Sequence, residues 1–227
     1  MSDAVPDAAG HRSRLRRRLL DHGGETLSDH EVIEYLLALA IPRRDTKPLA
    51  KALLREFGGL APLLAATPAQ TMRVAGMGEG AAAALRIVDA AALRLLRQRA
   101  KEGPVLASWQ ALLDYLQADM AHIGIERVRL LHLDTKNRLI RDELVAEGST
   151  DQATVHIREL LRRAIELGSA SLILVHNHPS GDPSPSRQDI ALTKEIAAAA
   201  KPLGIVLHDH IVIGTTGHAS LKALGVF

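Results

Sequence analysis

The stretch Ser171–Asp189, SLILVHNHPSGDPSPSRQD, decides how this chain reads. Its first five residues, Ser171 to Val175, are mostly apolar and partly β-branched, which predicts a short buried strand running to His178. Residues i and i+2 of a strand point to one face, so the imidazoles of His176 and His178 project together. Pro179, Gly181, Pro183 and Pro185 then force a loop, because neither a strand nor a helix continues through them. Ser186 opens an Ala-rich helical stretch with Asp189 in its first turn. Two histidines at a strand end and a carboxylate at a helix start can converge on one point. They form a suitable protein-ligand set for a catalytic zinc whose fourth position is left to water.

A purely structural reading covers part of the same stretch. Ser186-Arg187-Gln188-Asp189 fits a helix cap with an acid three residues on, and needs no metal. The spacing as a whole is more specific: His-x-His, seven residues, Ser, two residues, Asp. That pattern resembles the JAMM signature of MPN-domain metalloproteases. The wider string EGST…HIREL…LILVHNHPSGDPSPSRQD…LHDHIVIG resembles the RadC family of bacterial proteins. The resemblance is strong over about the last 120 residues and weaker over the N-terminal part.

Composition narrows the chemistry. Hydrophobic residues make up 47% of the 227 and aromatics 2%, so the core must rest on Leu, Ile, Val and Ala. There is no cysteine, which excludes disulfides, zinc thiolate sites and thiol catalysis within the chain. Any zinc must therefore use His and carboxylates. The N-terminal MSDAVPDAAGHRSRLRRR has no apolar core of a secretory signal, and no run approaches a membrane span in length. The expected compartment is the cytoplasm.

Charge and helical punctuation predict two parts. Residues 1–104 carry 16 Lys and Arg against 12 Asp and Glu, a balance of +4; the rest carry 12 against 14, a balance of −2. Arg12, Arg14, Arg16, Arg17 and Arg18 concentrate the excess, either as a solvated helix face or as a contact for nucleic acid. Residues 1–11 are expected to be a disordered tail, and 12–100 a small all-α domain of short helices. Residues 101–107 are read as a linker and 108–227 as the metal-hydrolase domain. Gly76-Met77-Gly78-Glu79-Gly80 resembles the turn of a helix-hairpin-helix module. Gly76, Gly78 and Gly80 either let a DNA phosphate approach or simply permit a tight turn, and Glu79 disfavours the phosphate.

From residue 108 strands and helices alternate. A helix from Trp109 to Asp119 is followed by paired strands, 127–134 and 138–146, around Thr135-Lys136-Asn137. An amphipathic helix over 155–167, the strand ending at His178, the helix from Ser186 to Ala200 and a strand over 205–213 complete the domain. Ser220 to Leu224 reads as a short helix. The fold class is α/β, a mixed sheet flanked by helices and preceded by an all-α domain. The MPN resemblance implies the same, with a curved, partly barrel-like sheet.

The resemblance also implies roles. His176, His178 and Asp189 would hold Zn2+, and Ser186 would donate a hydrogen bond to a developing oxyanion, provided that capping leaves its hydroxyl free. The general base in these metalloproteases is a glutamate just before an early strand, the position of Glu126; Glu143 and Glu147 are the competing carboxylates. Asn177 points to the face opposite the histidines and is expected to be structural. His208, Asp209 and His210 form a second polar cluster, read as hydrogen-bonding support in preference to a second metal site. The implied activity is hydrolysis of amide or isopeptide bonds in a protein or peptide. The other reading is a DNA-associated protein whose metal centre is structural or acts on nucleic acid.

Overall fold

The computed structural model describes residues 8–42, 44–105, 107–148 and 155–227, with the side chains of residues 8 and 9 excepted. The chain divides into two compact units, Met1–Ala92 and Leu93–Phe227. Among the described residues, no helix is long and apolar enough to cross a membrane.

The first unit is all-helical. It contains α1 (Ala8–His22), α2 (Asp29–Ala40), α3 (Lys47–Phe57), α4 (Leu60–Ala65), α5 (Pro68–Thr71) and most of α6 (Glu79–Lys101). The punctuation seen in the sequence sets these limits. Ser28 and Glu31 form a capping box at the start of α2, and Gly58 ends α3 in the left-handed conformation. Ile33, Leu37, Leu49, Ala50, Leu53, Leu63, Ala81 and Leu85 close the core of this unit. The tail expected over residues 1–11 is helical from Ala8, and residues 1–7 lie outside the described part.

The second unit is a five-stranded mixed sheet with helices on both faces. The strands are β1 (Glu126–Leu133), β2 (Leu139–Gly148), β3 (Ser171–Asn177), β4 (Val206–Gly214) and β5 (Gly217–Ser220), in the order β2-β1-β3-β4-β5. β3 and β4 run parallel and the other pairs antiparallel. All seven residues of β3 are buried, as a central strand covered on both faces must be. One face packs Ile173, Val175, Leu131, Leu133, Ile211 and Ile213 against α7 (Trp109–Met120). The other packs Leu172, Leu174, Val128, Leu130 and Leu207 against α8 (Ile157–Glu166) and α9 (Arg187–Ala200).

Two local expectations change in the structure. The segment over 101–107, read as a linker, carries Val105, which is fully buried in the α7-side core and donates its N–H to the carbonyl of Asn137. Ser220 to Leu224 is not a helix. Gly217–Ser220 is a fifth strand, paired with β4 from Gly214↔Gly217 to Ile211↔Ser220. Its four residues, GHAS, have neither length nor β-branched content, so the hairpin register defines the strand more than local propensity does.

Candidate metal centre

Alternation along β3 sends Leu172, Leu174 and His176 toward α8 and α9, and His178 follows on the same side. Helical periodicity brings the third group to them. On α9, Asp189, Thr193, Ile196 and Ala200 recur on one stripe, and the last three are fully buried. The loop between β3 and α9 is seated by close backbone approach. Gly181 has φ 86°, and a Cβ on Gly214 would lie 2.3 Å from the Gly181 carbonyl oxygen. The N–H of His178 donates to the Ile213 carbonyl at 2.9 Å, which fixes the start of the loop to β4.

Ligand-type atoms of His176, His178 and Asp189 all lie within 4.8 Å of one another, the one such convergence among the described residues. The two Nε2 atoms are 3.0 Å apart. Asp189 Oδ1 is 3.3 Å from His176 Nε2, and Oδ2 is 3.6 Å from His178 Nε2. The outer ring nitrogens are engaged elsewhere: His178 Nδ1 with the Asp182 carbonyl at 2.8 Å, and His176 Nδ1 with His210 Nε2 at 2.8 Å. Ligand imidazoles are held this way, one nitrogen bonded outward and the other turned to the ion. Three acceptor-type atoms converging in a partly buried site repel one another unless a cation lies among them, so the donor set fits a divalent metal. His176 is buried, while His178 and Asp189 remain partly open to solvent. Burial opposes ionisation of Asp189, but the hydrogen bond and charge of His176 and the bonds from Ser186 outweigh it. Its carboxyl therefore lies well below the usual carboxylate range.

Ser186 is the cap of α9. Its Oγ accepts from the N–H of Asp189 at 3.1 Å, and its own N–H donates to Asp189 Oδ2 at 2.6 Å. Capping and metal-ligand geometry are therefore compatible in one serine–aspartate pair. The cap bond uses an oxygen lone pair of Ser186 and leaves its hydroxyl proton free.

Glu126 begins β1. Val128 stands opposite His176 in the register, so Glu126, two residues earlier, lies level with His178 and on the same face as Val128. The competing carboxylates are committed to other partners. Glu147 pairs with Arg127, its register neighbour, on the opposite face of β1. Glu143 faces Leu130 and is held by Arg163 of α8, with hydrogen bonds of 2.7, 3.0 and 3.1 Å. The guanidinium holds the Glu143 carboxyl below its ordinary range. Ser149 and Thr150, the end of the EGST string, lie outside the described residues.

Asn177 points away from the histidines, as alternation requires, and reaches the segment that leads into β1. Its Oδ1 accepts from Arg127 N–H at 2.8 Å, and its Nδ2 donates to the carbonyls of Ile125 and Ile123 at 3.0 and 3.3 Å. These bonds flank Glu126 on both sides. A β-bulge at His208 separates the members of the second polar cluster. His208 bonds Asn137 at 2.7 Å. Asp209 accepts from Ser220 at 2.6 Å and from the Lys222 N–H at 3.1 Å, tying β5 and the turn after it to β4. His210 lies beside His176 and Thr193, and its burial pushes its pKa down to about 3. Thr193 carries no motif; its one sequence signal is its place four residues after Asp189 on the buried stripe of α9.

Comparison with known proteins agrees with this architecture. Residues 106–226 match the family described as RadC-like JAB domain, and residues 8–83 match UPF0758 N-terminal. A UPF0758 protein of Rhodobacter capsulatus is 52% identical over 212 residues, covering 93% of this chain and 99% of its own length. The chain therefore belongs to the RadC family, with a RadC-like JAB domain behind an N-terminal helical region.

Proposed function

We propose that this protein is a zinc-dependent hydrolase of the JAMM type that cleaves amide or isopeptide bonds in a protein or peptide. One observation carries the reading. Two imidazole Nε2 atoms and a carboxylate turn toward a common point, with both outer imidazole nitrogens already bonded elsewhere. His176, His178 and Asp189 would hold the ion. Zinc, when bound, lowers the pKa of a water and polarises a carbonyl. Glu126 accepts the proton of the attacking water and delivers it to the leaving nitrogen. Ser186 gives its free hydroxyl proton to the carbonyl oxygen as charge builds there. Glu143 and Glu147 are disfavoured as the base, since each is neutralised by an arginine.

The test uses the full-length protein purified without chelators. It should carry, or take up, about one zinc per chain. His178→Ala and Asp189→Ala should lose the metal, whereas Glu126→Gln should keep it. Hydrolysis across a panel of lysine-linked isopeptides and ordinary peptides should fall by about 10²-fold or more in Glu126→Gln. Failure to take up zinc removes the proposal. If Glu147→Gln silences hydrolysis and Glu126→Gln does not, the role of base moves to Glu147.

A further inference from the structure

Three contacts run outward from His176 and return to the residue that supplies the third ligand. His176 Nδ1 is 2.8 Å from His210 Nε2, His210 Nδ1 is 2.6 Å from Thr193 Oγ1, and Thr193 Oγ1 is 2.5 Å from the backbone carbonyl of Asp189. His210 and Thr193 are fully buried, so no solvent proton mediates between them. Each contact is short enough to require one proton, and the chain's end fixes where each proton sits. A carbonyl has none to give, so the hydroxyl of Thr193 donates to Asp189. The same hydroxyl must then accept from His210 Nδ1–H. A neutral imidazole carries one proton, so His210 Nε2 is a lone pair and accepts from His176 Nδ1–H. His176 is left with its lone pair on Nε2, the atom that faces His178 and Asp189.

We infer that Thr193 and His210 are positioning residues that lock His176 into the one tautomer able to bind a metal through Nε2. The inference rests on the metal reading of the site, but the protonation pattern it requires exists before any metal arrives. His178 needs no such device, because its Nδ1 reaches the Asp182 carbonyl directly. His176 sits deeper, where the nearest outward partner is another imidazole, and an imidazole can present either a donor or an acceptor. Thr193 removes that ambiguity. With Thr193→Val the hydroxyl acceptor is lost, and His210 Nδ1–H would be buried without a partner. Moving that proton to Nε2 reverses the bond to His176 and puts a proton on the nitrogen that should hold the ion.

The experiment has two arms on the full-length protein. Nitrogen-15 NMR of the metal-free protein should find the His176 proton on Nδ1 in the unaltered chain and in Thr193→Ser, and on Nε2 in Thr193→Val. Zinc affinity, measured by competition with a chromophoric chelator, should fall about 10- to 100-fold in Thr193→Val and be restored in Thr193→Ser. A His176 proton on Nε2 in the unaltered metal-free protein overturns the inference, whatever the variants do. So does a folded Thr193→Val that binds zinc as tightly as the unaltered chain. If the unaltered protein takes up no zinc while its His176 proton sits on Nδ1, the metal reading fails and the hydrogen-bond chain stands on its own.

Discussion

At the residue scale, the site joins groups that the sequence presents as unrelated. The HNH triplet divides its labour by alternation. Its histidines face the candidate metal centre, and Asn177, between them, faces the segment that carries Glu126. Asn177 is fully buried and makes three hydrogen bonds there, so removing it leaves backbone groups to find other partners. Asn177→Ala should cost about 1–3 kcal/mol of stability. Zinc should be retained, because the imidazoles lie on the other face. The amide proton of Arg127 should exchange faster, and any hydrolysis that depends on Glu126 should weaken. Hydrogen exchange reads the structural claim without a substrate. An Arg127 amide as protected in the variant as in the unaltered chain would contradict the clamp. The type and place of Asn177 were plain in the sequence, but its partners were not, since Ile123 and Ile125 lie more than 50 residues away along the chain.

At the scale of elements, strand β1 carries a buried ionisable group that sets an acid limit on the fold. His132 is fully buried between β2 and β3, with Nδ1 bonded to Ser169 at 2.9 Å and Nε2 without a hydrogen-bond partner. Burial lowers its pKa, and the nearby Glu143 only partly offsets this. The folded state therefore prefers neutral His132, while the unfolded chain protonates it near pH ~6.5. Its stabilising contribution is complete above that pH and is lost as pH falls below it, where the unfolded state binds the extra proton. His132→Phe should make stability less steep in pH between about 7 and 5, by up to about 1.4 kcal/mol per pH unit. Denaturant melts of both proteins across that range check it; parallel curves would show that His132 takes no part in the acid transition. Most elements were legible from periodicity and caps: α2 and α4 have the limits that the sequence predicts, and α9 begins after its Ser186 cap. β5 was not, because four small or polar residues carry no period of their own.

At the scale of the whole molecule, the basic N-terminal stretch is less available than its composition suggests. Arg12 bonds the carbonyls of Ile41 and Arg44, and Arg18 bonds Glu31 and the carbonyl of Thr26. The Arg44 guanidinium lies over Gly76, with NH2 2.6 Å from where a Cβ would be, so the glycine turn has a packing reason of its own. Arg16 and Arg17 are exposed on α1. If the helical unit binds DNA, the full-length protein should hold duplex DNA weakly at low salt. Alanine at Arg16 or Arg17 should then weaken binding evenly across sequences and reduce the salt slope by about 1 each. Zinc content should not change in either variant. Binding that is absent at low salt, or indifferent to salt, leaves the helical unit a structural or protein-contact module.

The sequence by itself determined the secondary structure around the site, the three convergent ligand candidates and the family resemblance. All of these rest on short-range order: a period of two, a period of 3.6, turn residues and fixed spacing within Ser171–Asp189. The tertiary structure alone decided the strand order β2-β1-β3-β4-β5, the place of His210 against His176, the closing of the chain through Thr193, and the commitment of Glu143 and Glu147 to arginines. Those facts depend on which strands pair and in what register. The side-chain period of a strand says which face a residue takes, but not which neighbour it meets there.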